Sequence, residues 1–473
     1  MSPSEDLWSW TATALRAALV EGTISSRDIV TSCLARIDDV NTSLNAIVEV
    51  RPEEALVAAD RADAAIHAGL DGALLGVPVA VKINTEQVGY ATTDGVTAWS
   101  EAIADADAPV VSALRRSGAI LTGRTNSPAF AFRWFANNDL HGRTMNPWDA
   151  GRTPGGSSGG AASAVASGMV PVAQGNDIGG SVRYPAFATG VVGLRPTPGL
   201  IAYSTATGTP ERNLSTQTMA VEGPLARTVG DVRLAVGAMR SPDVRDFWQV
   251  PGDPTPAPTG NERTVGLLRD PGVRRPSPAV DAALTSAAAT LEAAGYVVEE
   301  VELPLFAEAY RLWYLLVMQE FATALPLVRE VGDEGMQRAA AHYLANAAEW
   351  WGESPSLEQY IAGYARRATL GRRLQEFLES CPTLILPASA EQALPQDQDI
   401  ESVAGMRSAM DAQWSMMALP LLGSPGLSVP IGVDGGLPVG VQLVGRRFDE
   451  ARLLDVGEVL ERTHGTLTPI DPR

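Results

Sequence analysis

Two series of apolar residues near the start of the chain recur every three or four positions: Leu15, Ala18 and Leu19, and then Ile29, Cys33 and Ile37. This spacing places the apolar side chains on one face of a helix. Ser25 and Ser26 come just before the second series, where a serine oxygen can accept a hydrogen bond from the first turn. The pattern predicts N-terminal helices within residues 1–60.

Short β-branched runs alternate with helical spacing over much of the remaining chain. The strand and helix candidates, in order, are a strand at 76–84, a helix at about 108–117, a strand at 119–123, a strand VGLLRD, a helix at about 278–294, a strand YVVEEVELP, the strands CPTLILPAS and LSVPIG, and a closing helix within 450–463. Strands that alternate with helices predict an α/β fold in which helices cover a sheet.

Three stretches depart from this alternation. Residues 150–200 are dominated by Gly, Ala and Ser, whose small side chains let two backbones approach closely. Residues 241–262 are rich in Pro and Gly and predict an irregular excursion on the surface. Residues 305–380 are helical and rich in aromatic side chains. We therefore expect a first α/β part at 61–240 and a second at 263–473, which includes the helical insert 305–380.

The charge balance excludes several classes of function. The 473 residues include 36 Lys and Arg against 55 Asp and Glu, which gives a formal net charge of −19. This excess of negative charge disfavours binding to nucleic acid or to an anionic membrane surface. The acidic N-terminus lacks the basic start and apolar run of a signal peptide, and no apolar stretch is long enough to span a bilayer. We expect a cytoplasmic protein without a nucleic-acid or membrane partner.

Cysteine and histidine are scarce. The only cysteines, Cys33 and Cys381, are far apart in the sequence and form no CxxC motif. The four histidines have no metal-ligand spacing such as HExxH. We therefore expect neither a disulfide framework nor a metal site, and no motif indicates a cofactor.

Two clusters of glycine and serine contain the candidate catalytic serines. GGSSGG at 155–160 contains Ser157, and DIGGS at 177–181 ends in Ser181. Glycines beside a serine permit a tight turn whose amides converge on one point, as an oxyanion hole requires. Lys82 ends an apolar strand, and a buried, neutral lysine can accept a proton from serine. Taken one by one, each cluster could instead be a flexible turn or an anion-binding nest, and Lys82 a paired or snorkelling lysine.

The combination of motifs is more specific than its parts. GGSSGG, DIGGSVRYPA and GVVGLRPT stand in order, accompanied by GVPVAVK, the TT-x-G of residues 92–95, GAILTGRTN, NPWD, GPLARTVGD, LSVPIG and GLPVGVQLVGRRFDE. This series resembles the amidase signature family over about residues 25–463. The resemblance implies an α/β fold with one large domain, residues 1–473, in which a central mixed β-sheet is flanked by helices on both faces. It also implies a catalytic core at 61–240.

The resemblance assigns a role to each residue of a Ser–cis-Ser–Lys triad. It implies that Ser181 is the nucleophile, that Ser157 is the bridging serine with a cis peptide bond to Gly156, and that Lys82 is the general base. The amides of Ile178, Gly179, Gly180 and Ser181 are expected to form the oxyanion hole. Ser158, Asp177 and Arg183 are expected to support the site, with Arg183 anchoring the loop. A neutral base predicts activity that rises into the alkaline range.

The chain departs from the family pattern at three positions near these motifs. Ile83 follows Lys82 where the family usually has an aspartate, which removes a carboxylate near the base. Ala129 replaces a common glutamate and makes its region more apolar. Asn176 replaces a frequent threonine or serine before Asp177. The triad itself is intact.

The segment Ala131-Phe132-Arg133-Trp134 aligns with the loop that lines the acyl pocket of related hydrolases, and Trp414 is a further candidate for substrate binding. The aromatic residues of the variable insert, although such stripes usually belong to the core, favour an apolar or aryl amide over glutamine. Anilides, esters, carbamates and cyclic amides remain possible substrates. A homodimer is expected from the resemblance alone.

Two other functions remain open at the level of sequence. The chain could be the glutaminase component of a tRNA-dependent amidotransferase, although it lacks an ARYDGVRYG-like block and its negative charge suits tRNA poorly. It could also be a non-catalytic binding module, against which the intact triad argues.

Overall fold

The core of the protein is one mixed sheet of eleven strands, seen in a computed structural model that describes residues 6–204 and 211–473. A separate two-stranded ribbon is formed by β4 and β5. The strands are β1 Ile47–Val50, β2 Pro78–Lys82, β3 Ile120–Thr125, β4 Asn137–Asn138, β5 Gly142–Arg143, β6 Val172–Asp177, β7 Val192–Arg195, β8 Val221–Ala226, β9 Thr264–Leu267, β10 Val297–Glu300, β11 Thr383–Pro387, β12 Gly426–Asp434 and β13 Leu437–Gly445.

The order across the large sheet is β1-β3-β2-β6-β8-β7-β12-β13-β11-β9-β10. The strands β3, β2 and β6 are parallel, with Val79 opposite Val172, and so are β11, β9 and β10. The strands between these two groups pair antiparallel. Because β7 from the first α/β part pairs with β12 from the second, both parts share one sheet and form a single domain.

Helices flank the sheet. The α-helices are α1 Ala12–Glu21, α2 Ser26–Leu44, α3 Pro52–His67, α4 Pro109–Arg116, α5 Gly159–Ala166, α6 Arg183–Thr189, α7 Leu214–Met219, α8 Val229–Met239, α9 Pro278–Ala293, α10 Leu305–Phe321, α11 Leu325–Val331, α12 Glu334–Trp351, α13 Leu357–Leu378, α14 Gln398–Glu401, α15 Val403–Ala412, α16 Trp414–Leu422 and α17 Glu450–His464. Every residue of β2, β6, β8 and β13 is buried. Both faces of the central strands are therefore covered, which explains their continuous apolar runs.

The N-terminal helices form where the spacing predicts them. The Ser25 side chain caps α2 by accepting from the amide of Asp28, whose carboxylate accepts in turn from the amide of Ser25. This reciprocal capping box satisfies two amides that the helix leaves without partners. The apolar face of α2 is buried, including Ile29, Cys33 and Ile37.

The small-residue segment lies at the centre of the molecule. All eight residues of α5 are buried, and a Cβ on Gly160 would lie 2.4 Å from the backbone nitrogen of Asn126. No side chain fits at that distance, so glycine is required for α5 to lie directly against the backbone after β3. The serines of GGSSGG are thereby held beside the sheet.

The insert at 305–380 is helical, as expected, and consists of α10 to α13 with a short 3₁₀ turn at Ala322–Ala324. Residues 241–262 contain neither a helix nor a strand. None of the helices in residues 6–204 and 211–473 is both long and apolar enough to cross a membrane.

Candidate active site

The parallel pairing of β2 and β6 brings the candidate catalytic residues together. Parallel neighbours end at the same edge of a sheet, so Lys82 at the end of β2 lies near Asp177 at the end of β6. The loop after β6 carries Ser181, and the turn before α5 carries Ser157. Two adjacent strand ends and one buried helix thus assemble the three residues of the predicted triad.

Lys82 and Ser157 are directly hydrogen-bonded. The Lys82 Nζ donates to Ser157 Oγ at 2.6 Å and to Asn176 Oδ1 at 2.8 Å. The Lys82 side chain has no exposed surface, and this burial lowers its pKa from 10.5 to about 7, although the carboxylates of Asp94, Glu222 and Asp177 oppose the shift. Lys82 is therefore neutral in mildly alkaline solution and able to act as a base.

The Gly156–Ser157 peptide bond is cis, as the family resemblance implies. A Cβ on Gly156 would lie 2.3 Å from the carbonyl oxygen of Arg133, so only glycine fits between this turn and the neighbouring chain. The glycine before Ser157 thus serves a close backbone approach.

Ser181 faces the cavity beside this pair. Ser181 is 7% exposed, and its hydroxyl makes no hydrogen bond to any residue that the structure describes. The carbonyl oxygen of Ser181 accepts from the amide of Ser158 at 3.1 Å, which ties the two serine loops together. The hydroxyl is free to approach both a substrate carbonyl and Ser157.

Two tryptophans fix the loop that carries the predicted oxyanion amides. Trp313 Nε1 donates to the carbonyl of Ile178 at 2.9 Å, and Trp134 Nε1 donates to the carbonyl of Gly179 at 2.9 Å. The Ile178 carbonyl and the Gly179 N–H belong to one planar peptide and point in opposite directions. Trp313 therefore orients the Gly179 amide away from itself.

One of the four amides predicted to form the oxyanion hole has a hydrogen-bond partner within the protein. The amide of Gly180 donates to Asp177 Oδ1 at 2.9 Å and is therefore already occupied. The amides of Ile178, Gly179 and Ser181 make no hydrogen bonds within residues 6–204 and 211–473. Their availability suits the stabilisation of a developing oxyanion.

Asp177 and Arg183 hold the loop that carries Ser181 in place through buried hydrogen bonds. The Asp177 carboxylate accepts from Arg183 Nε and Nη2, each at 2.9 Å, and from the amide of Val182 at 3.2 Å. Burial would raise the pKa of Asp177, but the charge and hydrogen bonds of Arg183 outweigh it and hold the pKa at about 2. Ser158 contributes through its backbone, because its Oγ is buried without a partner in the described part of the chain.

The altered position Asn176 adds a second acceptor to Lys82. The Asn176 amide also pairs with Asn84, to which it donates at 3.0 Å. Ile83 is buried and contributes no charge, as its sequence implies. The carboxylates that act on Lys82 come instead from Asp94, Glu222 and Asp177.

Ser157 and Ser181 border a cavity of about 360 Å³, which is lined by an apolar and a polar group of side chains. The apolar group includes Phe130, Phe132, Trp134, Tyr203, Trp313, Val317, Met318, Phe321 and Tyr343. The polar group includes Asn84, Asp94, Asn176, Arg212, Asn213, Ser215 and Thr216.

The predicted pocket loop lines this cavity. Ala131, Phe132, Arg133 and Trp134 all contribute to its surface. Phe132 stacks on Phe321 with ring centroids 4.0 Å apart, so the loop and the helical insert form one aromatic wall. The guanidinium of Arg133 offers no free charge, because it donates to Asp399 at 2.8 and 2.7 Å.

The expectation that Trp414 binds substrate is not met by its position. Trp414 begins α16 and is fully buried in the core, where its ring lies edge-on to Phe306 with centroids 5.9 Å apart. It does not line the cavity. The apolar spacing of α16 could not distinguish a core tryptophan from a pocket one.

Several cavity residues were not identified from sequence. Asn84 ends the predicted strand 76–84, and Asp94 is the variable position of the TT-x-G motif at 92–95, so both residues could have been considered as site residues. Tyr343, on α12, gave no signal, because helical aromatic residues are usually core. Within the described residues, no group of three or more His, Cys, Asp or Glu side chains is placed to hold a metal ion.

Comparisons with known proteins identify the family of this chain. The family model described as Amidase matches residues 28–454. An indoleacetamide hydrolase from Bradyrhizobium diazoefficiens is 39% identical over 98% of this chain and 88% of its own. A glutamyl-tRNA(Gln) amidotransferase component from Chloroflexus aurantiacus is 33% identical over 97% of each chain. The structure of a bacterial aryl acylamidase of the amidase signature family superposes with a TM-score of 0.81 at 25% identity, over 98% of this chain and 96% of that one.

The comparisons and the fold lead to the same conclusion. The match covers most of the chain, and the described strands and helices form the α/β architecture of the solved relatives. The protein hydrolyses carbon–nitrogen amide bonds and belongs to the amidase signature family.

Proposed function

We propose that this protein hydrolyses a small amide whose acyl part is aromatic or otherwise apolar, through an acyl-enzyme on Ser181. The observation that carries the proposal is the aromatic wall of the cavity, formed by Phe132, Trp134, Trp313 and Phe321, which leads to Ser181. A volume of about 360 Å³ is at the small end of the range for ligand pockets, which suits a one- or two-ring acyl group.

The reaction begins with a proton relay. Neutral Lys82 accepts the proton of Ser157, while Ser157 accepts the proton of Ser181. The Ser181 oxygen attacks the substrate carbonyl, and the oxyanion is held by the amides of Ile178, Gly179 and Ser181. The relay then returns the proton to the leaving nitrogen, the C–N bond breaks, and an ester on Ser181 remains.

Water completes the cycle. A water molecule loses its proton to the same relay and attacks the ester carbonyl, which forms a second tetrahedral intermediate. Collapse of that intermediate releases the carboxylic acid and returns the proton to Ser181. Both half-reactions require Lys82 in its neutral form, so burial of the lysine serves acylation and deacylation alike.

One relative supports an aryl group on the acyl side, because the protein from Bradyrhizobium diazoefficiens is an indoleacetamide hydrolase. The solved aryl acylamidase instead makes an anilide, with its aryl group on the leaving amine, a further candidate. Indole-3-acetamide and phenylacetamide are therefore the first substrates to test. The amidotransferase relative makes glutamine the alternative substrate.

The test is a substrate panel on the purified single chain: indole-3-acetamide, phenylacetamide, acetanilide and glutamine. We expect the highest kcat/KM with the arylacetamides and little release of ammonia from glutamine. Ser181→Ala should lower kcat by roughly 10⁴-fold or more, whereas Ser380→Ala, an exposed serine after α13, should retain activity. A preference for glutamine would replace this proposal with the glutaminase alternative, and full activity of Ser181→Ala would overturn the role of Ser181.

A further inference from the structure

Asp94 brings a carboxylate into the cavity that the proposed relay does not use. It lines the cavity together with Asn84 and Ser157. Its Oδ1 is buried and has no hydrogen-bond partner within residues 6–204 and 211–473. A buried acceptor without a donor loses its hydration and gains no bond in return, so a donor from a bound ligand would stabilise it.

The backbone holds Asp94 rigidly. Its φ is 45°, in the left-handed region, and its carbonyl accepts from the amide of Phe130 at 2.9 Å. A Cβ on the next residue, Gly95, would lie 3.1 Å from the backbone nitrogen of Ala129. The carboxylate therefore projects from a fixed turn, which is the support that a binding group needs.

Asp94 lines the same cavity as Ser157, beside which the leaving nitrogen must bind. The relay returns its proton to the leaving nitrogen through Ser157, so that nitrogen must lie beside the hydroxyl to which Lys82 donates at 2.6 Å. The Asp94 carboxylate, Ser157 and Ser181 border the same cavity. A substrate that is bound at the two serines therefore lies in the space that the carboxylate also lines.

We propose that Asp94 accepts a hydrogen bond from the N–H of the leaving group and thereby makes the site selective for amides over esters of the same acid. This inference rests on the proposed function. A primary or secondary amide offers an N–H to the carboxylate, whereas the alkoxy oxygen of an ester offers only lone pairs, which the carboxylate repels. The same bond holds the leaving nitrogen beside Ser157.

The experiment compares phenylacetamide with methyl phenylacetate, which carry the same acyl group. Asp94→Ala should lower kcat/KM for the amide by about 10- to 100-fold and for the ester by less than about threefold, because a hydrogen bond to a charged acceptor is lost only with the amide. Asp94→Asn, which keeps the shape and one acceptor oxygen, should fall between wild type and Asp94→Ala. Assays at about pH 9 keep Lys82 neutral in every variant.

The control removes the same charge from the surface. Glu101→Ala deletes an exposed carboxylate a few residues further along the chain and should leave the amide-to-ester ratio unchanged. Titration with a fluorophosphonate counts the functional sites, so misfolded protein does not enter the ratio. If Asp94→Ala does not fold, the ratio of kcat/KM for the amide to kcat/KM for the ester in Asp94→Asn tests the proposal.

An equal loss with amide and ester in either Asp94 variant overturns the proposal, because Asp94 would then act only through Lys82. A wild-type chain that hydrolyses neither compound contradicts the proposed function, and this inference falls with it. A wild-type chain that hydrolyses the amide, with an unchanged ratio in the variants, refutes the inference and leaves the proposed function intact.

Discussion

At the scale of a single residue, burial of Lys82 favours the neutral amine, which can accept a proton. Its Nζ donates to Ser157 and to Asn176, and neither acceptor is a carboxylate that would form an ion pair and keep the lysine protonated. The position of this lysine followed from the sequence, because it ends an apolar strand in a recognisable motif. The second acceptor, Asn176, did not follow from the sequence. It contacts Lys82 only because β2 and β6, which are far apart in the sequence, are neighbours in the sheet.

The pH dependence of activity follows from this environment. The base works when neutral and burial lowers its pKa to about 7, while burial raises the pKa of Asp94 to about 7, so kcat/KM should rise steeply with pH below about 7 and level off above it. Steady-state assays on phenylacetamide between about pH 5 and about pH 10 measure the profile. A flat profile, with chemistry shown to limit turnover, would remove Lys82 from the role of base.

At the scale of elements, one buried carboxylate joins the cavity wall to the helical insert. Glu320, at the end of α10, accepts from the amide of Ser215 on α7 at 2.9 Å. It also accepts from the hydroxyls of Tyr360 and Tyr364 on α13, at 2.6 and 2.7 Å. Because Ser215 lines the cavity, Glu320 transmits the position of the insert to the substrate pocket.

Removal of this carboxylate should therefore affect both stability and binding. Glu320→Ala leaves two partly buried hydroxyls and the Ser215 amide without their acceptor and should cost about 1.5–3 kcal/mol of unfolding free energy. Thermal denaturation measures the loss, and KM should rise more than kcat falls, because the wall moves and the triad does not. Tyr360→Phe and Tyr364→Phe each remove one donor and serve as graded controls. An unchanged melting temperature in Glu320→Ala would contradict this role.

At the scale of the whole molecule, the two described ends of the chain meet beneath α5. Arg36 Nε donates to the carbonyl of Ser167, just after α5, at 2.8 Å, and its Nη2 donates to Asp471 at 2.7 Å. The guanidinium also lies 4.1 Å from the ring centre of Trp8. The helix that follows Ser157 is thus supported by segments from opposite ends of the sequence.

This support predicts a stability effect without a change in chemistry. Arg36→Ala should destabilise the fold by about 1.5–3 kcal/mol, because buried bonds to a charged donor are lost. The kcat/KM per fluorophosphonate-titrated site should stay near that of wild type. Arg36→Lys keeps the charge but not the planar fork and should recover only part of the melting temperature. A large loss of kcat/KM per site would contradict this expectation and show that the contacts of Arg36 also shape the loops that carry Ser157 and Ser181.

The sequence predicted the local elements of this fold better than their arrangement. The runs at 76–84 and 119–123 became β2 and β3, because a strand is recognised from its own composition. The pairing of β7 with β12 joins residues far apart in the chain, and no local pattern encodes it. The helical insert was recognised, but the choice between Trp313 in the pocket and Trp414 in the core depends on that long-range packing. The homodimer stays a prediction.

The two indole groups that hold the oxyanion loop have a consequence for how this enzyme can acquire new substrates. Trp134 and Trp313 line the pocket and also donate to the carbonyls of Gly179 and Ile178. A substitution that enlarges the pocket at either position would also release a peptide unit of the loop that is predicted to stabilise the oxyanion. New specificities should therefore arise first at Phe132, Phe321 or Met318, which line the cavity but donate nothing to that loop. The wall of the pocket is divided into positions free to vary and positions tied to the reaction.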